Sequence, residues 1–404
     1  MATAYLLSAL QALQHNFAIT VIGQEHSACY NRVLLSGLLA GEVQEADLGL
    51  LSTDCDAMFM TGVVATGIDL AERQVFCDTG ESLAFDQLVL ATGANVAMPP
   101  GLQASDNVRV LRSVEDVAAL RELSQANISL RAVVLGGGLL GLEAAHGLNQ
   151  LGMDTTVLHR NTVLMNRQLD ADGSAYLRQM LEQRGLTFRI GASIRSLHYT
   201  GDGAPPVLEL DDGSRVESDL LVMATGIVPR IELAQPVLAC DRGILVDAQL
   251  RTSEPLIYAL GECCQLGNQT FGLVAPVREQ ADVLAHTLCS LNTTVAGPVF
   301  SPRETPVQLK ISGIDIFRAG EIDGDAESIV LQDPANGIYR RLALRNNRLV
   351  GALLIGDKRG GNWFGELISS GQDVTHLRRG LLFGREVAEA MNIDIVAHQH
   401  GEAA

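Results

Sequence analysis

Val133-Val-Leu-Gly-Gly-Gly-Leu-Leu-Gly-Leu-Glu-Ala-Ala145 decides the fold of this chain. An apolar run at 132–135 leads into Gly136-x-Gly138-x-x-Gly141, and a Leu- and Ala-rich helical stretch follows. A second apolar run, Thr155-Thr-Val-Leu-His159, comes at crossover distance. Strand, glycine turn, helix and second strand form the setting in which such glycines hold a dinucleotide. The first makes the tight turn, the second lets backbone approach a pyrophosphate, and the third lets helix pack on strand. The free N–H groups of the helix start, with roughly half a unit of positive charge, favour phosphate there. Ordinary close packing of helix on strand is the plainer use of the same residues.

With 404 residues, two or three domains are expected. A composition of 47% hydrophobic residues, 4% aromatics and 40 glycines suits alternating strands and helices joined by tight turns. The net charge of −18 argues against nucleic acid and anionic membranes as partners, but tolerates a basic docking face. No run of about 18 apolar residues occurs, so no membrane span is expected. Residues 1–13 lack the positive start of a signal peptide and read as a helix. Seven scattered cysteines, an odd number, suggest reduced thiols and a cytoplasmic setting. The histidines show no zinc spacing, so no metal site is expected.

Along the chain, 1–14 reads as a helix, 17–22 as a buried strand and 84–91 as an apolar strand ending in Ala91-Thr-Gly93. Pro99-Pro-Gly101 breaks the pattern, and Ser113-Val-Glu-Asp116 resembles a capped helix start. Asp170 caps a helix running to about Arg184. Turn signals follow at Gly201-Asp-Gly203 and Asp211-Asp-Gly213, then a strand at 219–224 ending in a second Thr-Gly, Thr225-Gly226. A helix opens at Pro276. From Pro306 the texture is β-rich, with Asn346-Asn347 as a hairpin turn between strands at 339–345 and 348–355, and helices at 364–370 and 385–391. His398 and His400 fall in a tail.

Several strings together resemble one family: Tyr30-Asn-Arg-Val-Leu-Leu-Ser36 with Leu39-Ala-Gly-Glu42, the stretch 136–145, Asn166-Arg-Gln-Leu-Asp170, Gly226-Ile-Val-Pro229 with Ile231-Glu-Leu-Ala234, Gly261-Glu-Cys263, and Gly272-Leu-Val-Ala-Pro276. They are similar to the flavoprotein part of assimilatory NAD(P)H nitrite reductase large subunits and the electron-transfer subunit of assimilatory nitrate reductase. The wider group is the FAD- and NAD(P)H-dependent pyridine nucleotide reductases, including rubredoxin and ferredoxin reductases. The resemblance implies an α/β fold with two Rossmann-like dinucleotide-binding domains, one inserted in the other, and a C-terminal α+β domain. The FAD domain is expected at 1–111 and 234–300, the NAD(P)H domain at 112–233, and the C-terminal domain at 301–404. It also implies a strand and glycine loop ahead of Met1-Ala2, which matches the end of that loop. Without them, two or three charge-assisted hydrogen bonds to FAD, at about 1.5–3 kcal/mol each, are expected to be missing.

The same resemblance distributes roles. Gly136, Gly138 and Gly141 fall to the NAD(P)H pyrophosphate. Where an NAD enzyme is expected to end the next strand in an acid, this chain has His159-Arg160. Arg160 suits a 2′-phosphate or is a surface residue, and NADH against NADPH stays open. Glu143 is placed near the nicotinamide–flavin stack, or simply satisfies the helix dipole. Gly261-Glu262 is the second FAD signal, its acid accepting from the ribityl chain. Pro276 opens a helix aimed at the flavin pyrimidine edge. Glu25, with Gln24 as the alternative, is the candidate for the FAD adenosine ribose. Arg32 is a candidate for phosphate or ring contact, a structural ion pair being the other reading. Thr92-Gly93 and Thr225-Gly226 mark strand ends where backbone nears a dinucleotide or turns.

Disulfide reductases of the group this chain resembles carry Cys-x4-Cys beside the flavin, and its peroxidases and coenzyme A disulfide reductases carry one Cys beside the Leu-Ser string. Leu35-Ser36 is followed by Gly37 and neither pattern occurs here, so the resemblance implies a flavin that passes electrons outward rather than to an internal thiol. The adjacent Cys263-Cys264 pair would bridge only with strain. The expectation is a reductase that takes hydride from NAD(P)H and passes electrons to a partner protein or subunit carrying an iron–sulfur, molybdenum or sirohaem centre. Alternatives are a rubredoxin or ferredoxin reductase of another pathway, and a nucleotide-binding protein without flavin.

Overall fold

The computed structural model describes residues 1–51, 55–126, 130–199, 201, 205–290, 297–302, 306–322 and 324–391. They fall into two compact units. The first holds residues 1–104, 109–126 and 225–302, and the second holds 105–108, 127–224 and 303–404 as far as described.

In the first unit, helices Ala2–Ala12 and Val274–Cys289 pack together. Leu6 and Leu10 of one meet Ala281, Leu284, Ala285 and Leu288 of the other in a core shared with Leu90, Ile257, Tyr258 and Leu260. The unit has two parallel strand pairs, Thr20–Gly23 with Met58–Thr61, and Leu88–Leu90 with Ile257–Ala259, the second contributing to this core. The helix start expected at Ser113 is a reciprocal cap, Ser113 Oγ accepting from Asp116 N at 3.1 Å and Asp116 from Ser113 N at 2.9 Å.

Three sequence expectations need correction here. The strand read as buried over 17–22 spans Thr20–Gly23 and is only partly covered. Among the described residues it has one strand neighbour. The run 84–91 is two strands, Ser82–Ala84 and Leu88–Leu90. Phe85 N closes the antiparallel meander on Arg73 O at 2.9 Å, and the chain then leaves to join the parallel pair. The helix expected to open at Pro276 starts at Val274. Proline is tolerated there because first-turn N–H groups have no intrahelical acceptor.

The second unit contains a parallel sheet ordered Thr187–Ile190, Asp154–His159, Arg131–Leu135, Leu220–Met223. The last strand and most of Arg131–Leu135 are buried, as expected for parallel strands covered on both faces. Helix Leu139–Gln150 follows the glycine loop. Asp170 caps helix Ala171–Glu182, its carboxylate accepting from Gly173 N at 2.8 Å. Residues 307–355 form a five-stranded antiparallel sheet ordered Val307–Ile311, Ile314–Gly320, Arg348–Ile355, Ile338–Arg345, Glu327–Asp333. Asn346 and Asn347 turn its central hairpin with φ of 51° and 57°, the left-handed pair that matches strand twist. Helix Gly361–Ser370 brings Phe364 and Leu367 into a cluster with Phe317 and Leu354, and 385–391 is helical. His398, His400 and the turn at 201–203 beyond Gly201 lie outside the described residues. No described helix is long and apolar enough to cross a membrane, and no described cluster of side chains suits a metal ion.

Candidate functional site: two dinucleotide cradles

The glycine loop of the second unit gives each glycine a different physical reason. Gly136 has φ of 122° and turns the chain out of its strand. A Cβ on Gly141 would stand 1.9 Å from the Gly136 carbonyl oxygen, so only glycine lets the helix approach. Gly138 caps the helix in extended conformation, and a Cβ there would meet no atom within 4 Å. No atom of the described residues lies within that distance, and room of this kind is what a pyrophosphate needs to reach backbone. Gly137 lies between them: its Cβ would sit 2.5 Å from Leu164 Cδ2 and 2.9 Å from the His159 ring.

His159 supports this loop from beneath. Gly137 N donates to its Nδ1 at 3.1 Å, and its Nε2 lies 3.2 Å from Val163 O. One ring nitrogen accepts, so the other must carry hydrogen and donate, which fixes a neutral Nε2–H tautomer. Burial lowers the imidazole pKa below its ordinary value, in keeping with that form. Both nitrogens serve backbone, and the exposed Arg160 is the next side chain outward. Glu143 lies further along helix Leu139–Gln150, partly buried.

The first unit assembles a chain of charges. Arg32 pairs with Glu25, which also accepts from the Tyr30 hydroxyl. The other arm of Arg32 donates to the Arg112 carbonyl. The Arg112 guanidinium reaches Glu262 at 2.7 Å and the Ala94 carbonyl at 3.0 Å. A Cβ on Gly93, where φ is +71°, would lie 3.9 Å from the Glu262 carboxylate, so Thr92-Gly93 borders the same cluster. Burial, then the bond to Glu25, raises the Tyr30 hydroxyl above its usual pKa, so it stays a donor. Two carboxylates and two guanidinium groups, none fully buried, offer acceptors to sugar hydroxyls and donors to phosphate. That donor set fits a flavin dinucleotide.

The two Thr-Gly strings bracket one antiparallel ribbon from its opposite ends, which spacing along the chain does not reveal. Thr92 Oγ1 donates to Arg230 O at 2.7 Å and Arg230 N to Gly93 O at 2.9 Å. Thr225 Oγ1 donates to Ala97 O, and Ala97 N to Gly226 O at 2.9 Å. Together they close the ribbon formed by Ala94–Val96 and Ile227–Pro229. Gly261 N donates to Gln280 Oε1 at 2.8 Å, which ties the loop before Glu262 to helix Val274–Cys289. Arg112 and Gln280 are functional candidates that sequence reasoning passed over. An arginine before a helix cap and a glutamine inside a helix carry no local signal. Pro276 lies in the first turn of that helix, outside the charge cluster, while Gly272 borders Ile227.

All seven cysteines are free thiols. Burial pushes Cys263 and Cys264 up in pKa, and their Sγ atoms face the carbonyls of Leu260 and Gly261. Neither is poised as a thiolate.

A family model described as pyridine nucleotide-disulphide oxidoreductase matches residues 4–281. The chain belongs to that family. It is an NAD(P)H-dependent flavoprotein oxidoreductase, and membership implies FAD and NAD(P)H as its cofactors. A second model, the rubredoxin NAD+ reductase C-terminal domain, matches residues 306–372, within the antiparallel sheet and its covering helix. A nitrite reductase [NAD(P)H] of Bacillus subtilis is 36% identical over 376 residues, covering 91% of this chain and 46% of the relative. The assimilatory nitrate reductase electron transfer subunit of the same organism is 37% identical over 359 residues, covering 87% and 45%. The chain thus spans less than half the length of these relatives. Among solved structures, the covalent putidaredoxin reductase–putidaredoxin complex superposes with a TM-score of 0.80 at 25% identity, covering 98% of this chain and 96% of the other.

Proposed function

We propose that this oxidoreductase is the reductase component of assimilatory nitrite or nitrate reduction, working in the cytoplasm and handing electrons to a partner centre. The identity shared with the nitrite and nitrate reductase relatives over about nine-tenths of the chain is the observation that carries this reading. FAD falls to the first unit, residues 1–104, 109–126 and 225–302, and the coenzyme to the glycine-loop part of the second. A flavin held there would supply the hydride-to-electron chemistry. The chain's own task is binding and orientation. The glycine loop receives the coenzyme pyrophosphate on free backbone N–H groups above Gly138. Glu262 and Glu25 accept from sugar hydroxyls, Arg32 and Arg112 hold phosphate or ring, and the buried thiols stay out of the electron path.

The test is reconstitution. Purified chain mixed with FAD should retain the flavin, NADH or NADPH should bleach its visible band, and a partner subunit should then form product from nitrite or nitrate. A protein that stays colourless with added FAD excludes the reductase reading and leaves a nucleotide-binding protein. A second reading, reductase of a rubredoxin or ferredoxin, is favoured by the C-terminal match. Efficient turnover with rubredoxin and none with the nitrogen-assimilating partners would establish it.

A further inference from the structure

We propose that Asp170 is a positioning residue for coenzyme binding: with Tyr339 and Arg341 it clamps the segment that shapes the glycine loop. This rests on the glycine loop being the coenzyme site. One oxygen of Asp170 caps helix Ala171–Glu182 through Gly173 N at 2.8 Å. The other accepts from the Tyr339 hydroxyl at 2.8 Å and from Arg341 Nη1 at 2.6 Å, both on the strand Ile338–Arg345 of the antiparallel sheet. The carboxylate is nearly buried, so these donors carry the solvation it has lost. Burial, then the bond to Asp170, raises the Tyr339 hydroxyl pKa, and it remains a donor at any working pH. Two further contacts grip the same stretch. Arg318 donates to the Arg167 carbonyl, and a Cβ on Gly173 would come within 3.0 Å of Ile355 and 3.1 Å of Leu353.

The clamp reaches the loop in three bonds. The first turn of helix Ala171–Glu182 carries Ser174, whose Oγ accepts from Leu164 N at 2.7 Å. The next residue, Met165, donates its N–H to Gly137 O at 2.8 Å. The Gly137 N–H goes to His159, whose ring is held by Val163 O. Both polar backbone groups of Gly137 are therefore committed to residues 159–165. That segment is fastened at its far end by the cap of helix Ala171–Glu182. Loosening the cap leaves Gly138 in place in sequence but frees the loop that aims its N–H groups.

Tyr339→Phe, Arg341→Met and Asp170→Asn test this in the full chain, with Arg345→Ala on the same sheet as a control. NADH affinity is read by coenzyme fluorescence in the flavin-free protein, and KM and kcat with ferricyanide in the flavin-loaded protein. The clamp variants should raise both Kd and KM for NADH about tenfold while kcat stays within about twofold, and the control should change neither. If Asp170→Asn does not fold, Tyr339→Phe, which keeps the ring and loses one donor, decides alone. Clamp variants that melt earlier yet bind NADH as the parent does overturn the proposal and leave the coenzyme reading intact. A parent protein that binds no NADH or NADPH overturns both.

Discussion

Gly138 and Gly141 stand three residues apart and answer to different constraints. Alanine at Gly141 drives a methyl into the Gly136 carbonyl. Gly141→Ala is therefore expected to lower the melting temperature and abolish coenzyme binding together. Alanine at Gly138 meets only open space, so Gly138→Ala should melt within a degree or so of the parent yet bind NADH at least about tenfold more weakly. Equal affinity in that variant would show that nothing comes close to this backbone. His159 adds a pH dependence. Its pKa is lowered in the folded chain, so between that value and the ordinary 6.5 the unfolded chain binds more protons. The stabilisation is complete above the ordinary value and is lost as pH falls below it. His159→Ala leaves Gly137 N–H without its acceptor, at about 1–3 kcal/mol, and should flatten the acid limb of a plot of melting temperature against pH. The glycine spacing and the strand ending in His159 were legible because they are local. The direction in which that imidazole points was not, since it depends on a neighbour 22 positions away.

At the scale of elements, the Gln280 amide ties helix Val274–Cys289 to the loop before Glu262. Gln280 is fully buried, its Oε1 takes the Gly261 N–H, and its Nε2 has no hydrogen-bond partner among the described residues. Gln280→Ala leaves the Gly261 N–H buried and unpaired, and should cost about 1–3 kcal/mol in urea unfolding. Flavin retained through gel filtration should fall with it, because Glu262 follows directly. Unchanged retention despite lower stability would limit Gln280 to packing. Strong periodic elements were readable in advance, among them the helix capped by Asp170 and the hairpin at Asn346-Asn347. The ion pair of Arg112 with Glu262 joins residues 150 apart, and no local pattern announces such a partner. The strand Thr20–Gly23 was misjudged because burial depends on the number of neighbouring strands, which hydrophobicity alone does not count.

For the whole molecule, the absence of a poised thiol sets the electron count. All seven cysteines are free, and the adjacent pair is buried and protonated. Anaerobic titration of the flavin-loaded protein with dithionite should reach full bleaching at about two electron equivalents per flavin. A value near four would reveal a redox-active disulfide and contradict this account. The flavin-loaded chain should pass electrons from NADH to ferricyanide, as followed by the loss of ferricyanide absorbance.

The bonds from Asp170 to Tyr339 and Arg341 also set an order of maturation. The residue that receives them leaves the ribosome 169 residues before Tyr339. At about 5–20 residues per second, that gap lasts roughly ten to thirty seconds. During it the glycine loop lacks the brace that Tyr339 and Arg341 supply through Asp170. Under the proposed clamp, the loop is fastened only after residue 341 has emerged, and a chain cut short before residue 339 should bind NADH weakly.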